Sequence, residues 1–79
     1  MTKILDLHGF TPQVAVKKIQ KTIMENPKCE KLIAIHGFNR GNAIKNILLD
    51  HHNIHNNRTI KTIPEPFNEG RTWIYLKRC

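Results

Sequence analysis

The 79-residue sequence predicts an α/β protein: a two-layer sandwich with a mixed sheet and the element order β-α-β-α-β-β. The main observation is that short apolar runs alternate with segments of helical periodicity. A second is that two of these runs, at 4–7 and 32–35, are each followed directly by His-Gly. The length fits one domain spanning residues 1–79.

The first strand and helix have clear boundaries. Residues 4–7 alternate as a strand and stop at His8-Gly9, a turn signal. Thr11 can cap the helix that follows, and Pro12 suits its first turn. Asn26-Pro27 ends this helix after about Glu25. Its apolar stripe repeats every four residues: Ala15, Ile19 and Ile23.

The remaining elements follow from the same reasoning. Residues 32–35 form a continuous apolar run, typical of a strand that is central in a sheet or buried on both sides. The second helix is predicted from the stripe Ala43, Ile44, Ile47 and Leu48. A polar loop should occupy 51–57, and strands should occupy 59–63 and 72–76.

These elements predict a sheet topology. Each of the first two β-α-β units calls for parallel neighbouring strands with a right-handed crossover. The short connection 64–70 favours an antiparallel final pair. Since only two helices are available to cover the sheet, one face of it should stay comparatively open.

Composition favours a polyanionic partner. Thirteen Lys and Arg against six Asp and Glu give a net charge of +7, which suits nucleic acid, DNA or RNA, although a basic soluble surface is the simpler alternative. No segment combines a Lys-rich face with the apolar face that membrane-surface binding needs, and no apolar stretch approaches a membrane span. The two cysteines form no CxxC motif, so a reducing, cytoplasmic location is expected.

The two His-Gly strand ends are the candidate site. Ligands of open α/β sheets bind at the carboxyl ends of parallel strands, and adjacent strands would bring His8 and His36 together there. Asp6 and His8 should share a strand face, where an Asp is costly unless it is solvated or paired. Pairing with a histidine would fix the tautomer of the imidazole. Alternatively, Asp6 caps a loop and His8 only fills a turn.

The loop after the second strand offers a phosphate contact. Gly37 and Gly41 flank Arg40 just before the second helix, so backbone amides and a guanidinium can face an anion. The spacing matches neither GxGxxG nor a GKS/GKT motif. The glycines can equally serve only the backbone conformation of the loop.

Other polar clusters receive structural interpretations. His51, His52 and His55 have spacings that could bind zinc, but a role near a helix carboxyl end is favoured, with Asp50 pointing elsewhere. Trp73 and Tyr75 share a strand face and either stack bases or contribute to the core. The remaining lysines are expected to form a solvated surface unless they share a side with His8 and His36: Lys17, Lys18, Lys21, Lys28 and Lys31.

The motifs together resemble the Smr (small MutS-related) domain family. The resemblance rests on Leu-Asp-Leu-His-Gly at 5–9 and His-Gly-x-x-x-Gly at 36–41, with weaker support from residues 70–77, and it spans nearly the whole chain. It implies a fold like the carboxyl-terminal domain of translation initiation factor three. It also implies DNA or RNA binding, often with nicking endonuclease activity and a role in DNA repair or recombination. Family members commonly have Lys and Gly where this chain has Phe38 and Asn39.

The resemblance and the local chemistry together give a set of predicted site residues. The catalytic candidates are Asp6, His8 and His36. The candidate nucleic-acid contacts are Gly9, Gly37, Arg40, Gly41, Lys45 and Arg71. No cofactor or resident metal is predicted, and a divalent cation such as magnesium, if used, would be loosely held. The alternative function is a non-catalytic nucleic-acid-binding or adaptor module of the same fold.

Overall fold

The computed structural model describes residues 1–37 and 42–78. Within these ranges the element order is the one predicted. The elements are β1 (Thr2–Asp6), α1 (Pro12–Glu25), β2 (Lys31–Ile35), α2 (Asn42–Leu48), a 3₁₀ helix (His51–Ile54), β3 (Thr59–Pro64) and β4 (Arg71–Leu76). Strand β1 lies closer to the amino terminus than predicted, the other strands are each longer by one residue, and the segment predicted as a loop contains the 3₁₀ helix.

Helix α1 forms as its sequence predicts. The Thr11 hydroxyl accepts a hydrogen bond from the Val14 amide (3.3 Å), which satisfies one of the free amides of the first turn. Pro12 occupies the first turn, where its missing N–H costs nothing. The predicted stripe is the buried one, with Ala15, Ile19 and Ile23 all at most 1% exposed.

The sheet has the strand order β1-β2-β4-β3. Strands β1 and β2 are parallel, as predicted, and β4 is antiparallel to both of its neighbours. The prediction that β2 and β3 would be parallel neighbours is wrong, because β4 lies between them. The side chains explain the order: β4 buries every second residue and suits a central position, whereas β3 carries Lys61 and Pro64, which suit an edge.

The core lies between one face of the sheet and the helices. Leu32 and Ile74 from the strands, with Leu7 just after β1, form one core cluster with Ile19 and Leu48 from the helices, and all five are fully buried. Strand β2 is central, as predicted. It is not buried on both sides, because its residues alternate between buried and half-buried.

The other face of the sheet has no helix against it in the described part of the chain. Partners on neighbouring strands project to the same face, so the register defines three rows of side chains there. All of these side chains are half-buried or exposed. We call this surface the open face; its rows are Thr2, Lys31, Tyr75 and Lys61; Ile4, Ile33, Trp73 and Ile63; and Asp6, Ile35 and Arg71.

Candidate nucleic-acid interface

Asp6 and His8 form a hydrogen-bonded pair at the end of β1. Oδ1 of Asp6 lies 2.6 Å from Nδ1 of His8 and accepts a second hydrogen bond from the His8 amide at 3.1 Å. The side chains are 56% and 74% exposed, respectively. These hydrogen bonds from His8 hold the pKa of the Asp6 carboxyl below its usual range. Asp6 is therefore ionised at neutral pH, and its cost in an apolar strand is met by both solvent and pairing.

The pairing fixes the tautomer of the imidazole. An ionised carboxylate can only accept hydrogen bonds, so Nδ1 of His8 carries the proton. In the neutral ring Nε2 is then the basic nitrogen, on a side chain that is largely in solvent. An exposed imidazole held in this way can take a proton from a bound molecule.

The two His-Gly ends lie side by side in the backbone. The Leu7 amide donates to the Ile35 carbonyl (2.7 Å), and the amides of His36 and Gly37 both donate to the Gly70 carbonyl (2.9 and 3.0 Å). Gly37 has φ +85°, which L side chains rarely adopt, and a Cβ built on it would lie 3.9 Å from Cβ of His8. The edge therefore brings together His8, Gly37 and Gly70.

The imidazole of His36 faces the core instead of this edge. The residue is 2% exposed. Its Nδ1 lies 3.1 Å from the Gly37 carbonyl, which only accepts, so this nitrogen carries the proton. Nε2 then accepts from the Thr72 hydroxyl at 2.8 Å. Both ring nitrogens are thus engaged, and the structure does not bring the imidazole together with that of His8.

Burial of His36 predicts an acid-sensitive contribution to stability. Burial, with a smaller effect of the Lys45 charge, lowers the pKa of His36 from 6.5, although its bond to Gly37 acts in the opposite direction. The unfolded chain therefore binds a proton before the native protein does as the pH falls. The contribution of neutral His36 to the free energy of unfolding is fully present above about pH 6.5. It decreases below that pH, by at most about 1.4 kcal/mol per pH unit.

The variant His36→Gln removes this titration while keeping a donor and an acceptor. We expect urea unfolding at pH 7.5, 6.5 and 5.5 to show a smaller loss of stability for the variant than for the native protein. The four other histidines are common to both proteins. Identical slopes of unfolding free energy against pH would show that His36 protonates equally in both states.

Other predicted contacts divide between this edge and its surroundings. Arg71 lies in the same row of the open face as Asp6, with Ile35 between them, and its Nε is 3.5 Å from Oε1 of Glu65. Lys45 is half-buried on α2. Gly9 is exposed in the turn after His8, with φ +83°. The predicted contacts Arg40 and Gly41 lie outside the described residues.

A second Asp-x-His pair has nearly the same geometry. Oδ1 of Asp50 lies 2.8 Å from Nδ1 of His52 and 3.0 Å from the His52 amide. The expectation that Asp50 points away from the histidines is wrong, because Asp50 caps the 3₁₀ helix and so faces its first turn. Hydrogen bonds from His52 also lower the pKa of Asp50. The paired geometry is therefore not unique to the sheet edge.

Potential metal ligands cluster at this second pair and not at the sheet edge. Within residues 1–37 and 42–78, one group of three has ligand atoms within 4.8 Å of one another: Asp50, His51 and His52. His55 is not among them. At the edge, Asp6 already accepts two hydrogen bonds through Oδ1. The described residues of the sheet edge include no such cluster of ligands.

The remaining sequence candidates lie on different layers. Lys17, Lys18 and Lys21 are exposed on helix α1. Lys31, which was expected to be a solvated lysine unless it shared a side with the histidines, lies on the open face with Trp73 and Tyr75, as does Lys61, which the sequence did not single out. Strand alternation could have placed these lysines with the aromatics, but only once the strand order was known.

A groove of about 450 Å³ between α1, α2 and the 3₁₀ helix contains none of the predicted site residues.

The fold and the edge define a small α/β domain with a four-stranded mixed sheet, two helices on one face, and an Asp-His pair at the end of β1. Among solved structures, the Smr domain of Thermus thermophilus MutS2 is similar, with a TM-score of 0.73 and 23% sequence identity over 95% of this chain and 98% of that one. The chain is thus an Smr-like domain in its fold, which confirms the fold class implied by the sequence resemblance. No family model and no curated protein matches the sequence. The described helices include none long and apolar enough to cross a membrane.

Proposed function

We propose that this chain binds nucleic acid at the edge formed by His8, Gly37 and Gly70, and that His8 promotes phosphodiester cleavage there. The observation that carries the proposal is the exposed Asp6–His8 pair at the carboxyl end of a parallel strand, a common position for ligand sites. The net charge of +7 suits a polyanion. The Leu-Asp-Leu-His-Gly motif and the Smr-like fold support the same function.

The chemistry would be general base catalysis. Nε2 of His8 takes a proton from a water molecule or a ribose 2′-hydroxyl, whose oxygen forms a bond to phosphorus. The ester bond on the opposite side of the phosphorus breaks, and its oxygen takes a proton from the imidazolium or from solvent. Throughout, Asp6 holds the ring in one orientation and stabilises its positive charge.

In this proposal His36 is a positioning residue. Its hydrogen bonds hold the Gly37 carbonyl and the Thr72 hydroxyl at the start of the edge, where β2 and β4 meet. It would not act as the general acid, since neither ring nitrogen is available to substrate. One exposed histidine then has to serve both proton transfers, or solvent has to supply the second proton. We therefore expect cleavage to be slow.

The second candidate function is nucleic-acid binding without cleavage. The burial of His36 favours this function. A mechanism with one histidine as base and another as acid needs both to be accessible, and of His8 and His36 only His8 is exposed. The open face and the basic charge would serve binding equally well in either case. The two functions differ only in whether the Asp6–His8 pair performs proton transfer.

Binding and cleavage can be measured on the native protein. Fluorescence anisotropy with labelled DNA and RNA oligonucleotides should show affinity that falls as salt rises from 50 to 200 mM, since phosphate contacts release counterions. Supercoiled plasmid and structured RNA, each incubated with magnesium or with EDTA, test cleavage. Salt-dependent binding without cleavage would select the second function. Absence of binding to both nucleic acids would contradict both.

A further inference from the structure

We propose that the open face is a stacking platform for single-stranded nucleic acid, in which Trp73 and Tyr75 stack on bases and Lys31 and Lys61 bind phosphates. The proposal rests on the proposed function for the class of partner, and it adds the form of nucleic acid and a second contact surface. It depends on three features of the face: its aromatic geometry, its apolar middle row and its charge.

The aromatic rings on this face are approached by cations. Nζ of Lys31 lies 3.7 Å from the centre of the Trp73 ring and 5.7 Å from that of Tyr75. Nζ of Lys61 lies 5.3 Å from the Tyr75 ring. Each ring is therefore within cation–π distance of an ammonium group, and both aromatic residues keep part of their surface accessible to solvent. A base can replace the ammonium over the indole, and the flexible lysine can then pair with the adjoining phosphate.

The spacing of these side chains suits consecutive nucleotides. Trp73 and Tyr75 are two residues apart on β4, roughly 7 Å along the strand. Lys31 and Lys61 are the register partners of Tyr75 on the two flanking strands. Four-stranded sheets of other folds bind single strands by stacking two or three bases on aromatics in this way.

The middle row of the face is more apolar than a solvated sheet surface requires. Its members are Ile4, Ile33, Trp73 and Ile63. The most exposed of them is Ile4, at 62%. An antiparallel sheet with one face in water usually presents polar residues on that face. Ile33, Ile63 and Trp73 are half-buried, so the row as a whole is a partly solvent-accessible apolar surface that a partner can cover.

The charges select nucleic acid over a second copy of the chain. The open face carries Lys31, Lys61 and Arg71 against Asp6; Glu65 at its rim accepts a hydrogen bond from the Trp73 indole and forms an ion pair with Arg71. Two such faces packed together would oppose like charges, whereas a phosphate backbone would neutralise them. The row that contains Asp6 also connects the open face to the edge at His8. A single strand of nucleic acid can therefore contact both the open face and that edge.

A single-stranded ligand is favoured because its bases are accessible. In a duplex the base faces are stacked on one another, so the aromatic rings of the sheet surface cannot stack on them. Stacking on aromatic side chains tolerates any base sequence. We therefore expect a preference for single strands over duplex and little dependence on base identity.

Trp73 makes the test direct because it is the sole tryptophan of the chain. The native protein is titrated with 12-nucleotide single strands of DNA and of RNA and with a 12-base-pair duplex. Tryptophan fluorescence and the anisotropy of labelled oligonucleotide are recorded together. For the single strands we expect quenching with the same midpoint as the anisotropy change; the duplex should quench much less at equal occupancy.

Two variants with a matched control extend the test. Tyr75→Leu should weaken single-strand binding roughly 5- to 150-fold, which corresponds to the 1–3 kcal/mol contributed by one stacking aromatic. Lys31→Gln should lower the salt slope by about one, whereas Lys21→Gln, on helix α1, should not. Far-UV circular dichroism checks that each variant is folded.

Each outcome decides the proposal. Binding that leaves Trp73 fluorescence unchanged would overturn the stacking platform while the proposed function stands. Absence of binding to any nucleic acid would overturn both. Fluorescence that depends on protein concentration alone, with dimers in sedimentation and no response to oligonucleotide, would show that a second copy occupies this face.

Discussion

Replacing Arg58 by alanine is expected to lower the free energy of unfolding by about 3–5 kcal/mol, a large share of the total for a small domain. Arg58 is 9% exposed, and its guanidinium donates to five backbone carbonyls at 2.5 to 3.2 Å. These belong to Ile23, Asn26, Pro27, Cys29 and Lys77.

The expected loss of stability is large because Arg58→Ala leaves backbone carbonyls without their donor. The five carbonyls belong to the end of α1, the connection to β2 and the segment after β4, so one side chain ties three parts of the chain together. Alanine would leave these acceptors without their donor and would also open a cavity. A hydrogen bond from a charged donor contributes about 1.5–3 kcal/mol, and the individual losses are not additive.

Urea unfolding followed by circular dichroism measures the change. Arg58→Lys should fall between the native protein and Arg58→Ala, because an ammonium has three donors and no planar fork. It also keeps the test informative if the alanine variant does not fold. The control is Arg78→Ala, since Arg78 is 60% exposed and pairs with Glu30 at 3.4 Å; we expect a change below about 1 kcal/mol. An Arg58→Ala variant as stable as the native protein would contradict the structural role.

The order of elements could be predicted because local signals were strong. The cap and stripe of α1 are properties of consecutive residues, and the structure confirms them. The order of the strands could not be predicted in full, since it depends on which strand buries the most side-chain surface in the assembled sheet. Lys61 and Pro64 suit an edge position for β3, whereas the β-α-β pattern alone predicts that β2 and β3 are parallel neighbours.

The position of His36 shows how register limits motif comparison. Aligning the two His-Gly motifs makes Asp6 equivalent to Ala34, yet the register pairs Asp6 with Ile35. A shift of one residue reverses every side chain between the faces. His8 therefore lies at the exposed edge, while His36 projects into the core.

Contacts between residues that are distant in the sequence could not be predicted, because they depend on the assembled fold. Arg58 stands among polar residues and looks like one more member of a basic surface, but its acceptors are 19 to 35 residues away. The joining of Lys31 and Lys61 around Tyr75 likewise depends on β4 lying between β2 and β3. Neither contact has a local pattern.

Replacing His8 by glutamine is expected to reduce cleavage by roughly 10²- to 10³-fold, within the range that general acid–base groups contribute. Glutamine retains hydrogen-bonding capacity but cannot accept and return a proton at neutral pH. Asp6→Asn should reduce cleavage less, because the imidazole remains but loses the acceptor that orients it. The affinity of each variant for the same nucleic acid is measured in parallel, so that weaker binding at this edge is distinguished from loss of proton transfer. The measurement is the rate of cleavage under single-turnover conditions.

The second Asp-x-His pair supplies the matched control. His52 has the same partner type, nearly the same distances and a similar exposure, but it lies in the 3₁₀ helix, away from the sheet edge. His52→Gln therefore makes the same chemical change in the same local geometry. A difference between the variants would reflect the location of His8.

The rate of nucleic-acid cleavage by His8→Gln, compared with that by His52→Gln and the native protein, tests the central claim most directly. All three proteins are purified identically and checked for folding by circular dichroism. We predict that His52→Gln cleaves within about twofold of the native rate and that His8→Gln retains roughly 1% of it or less. Equal rates for all three proteins would contradict the claim, because the cleavage would then not depend on His8.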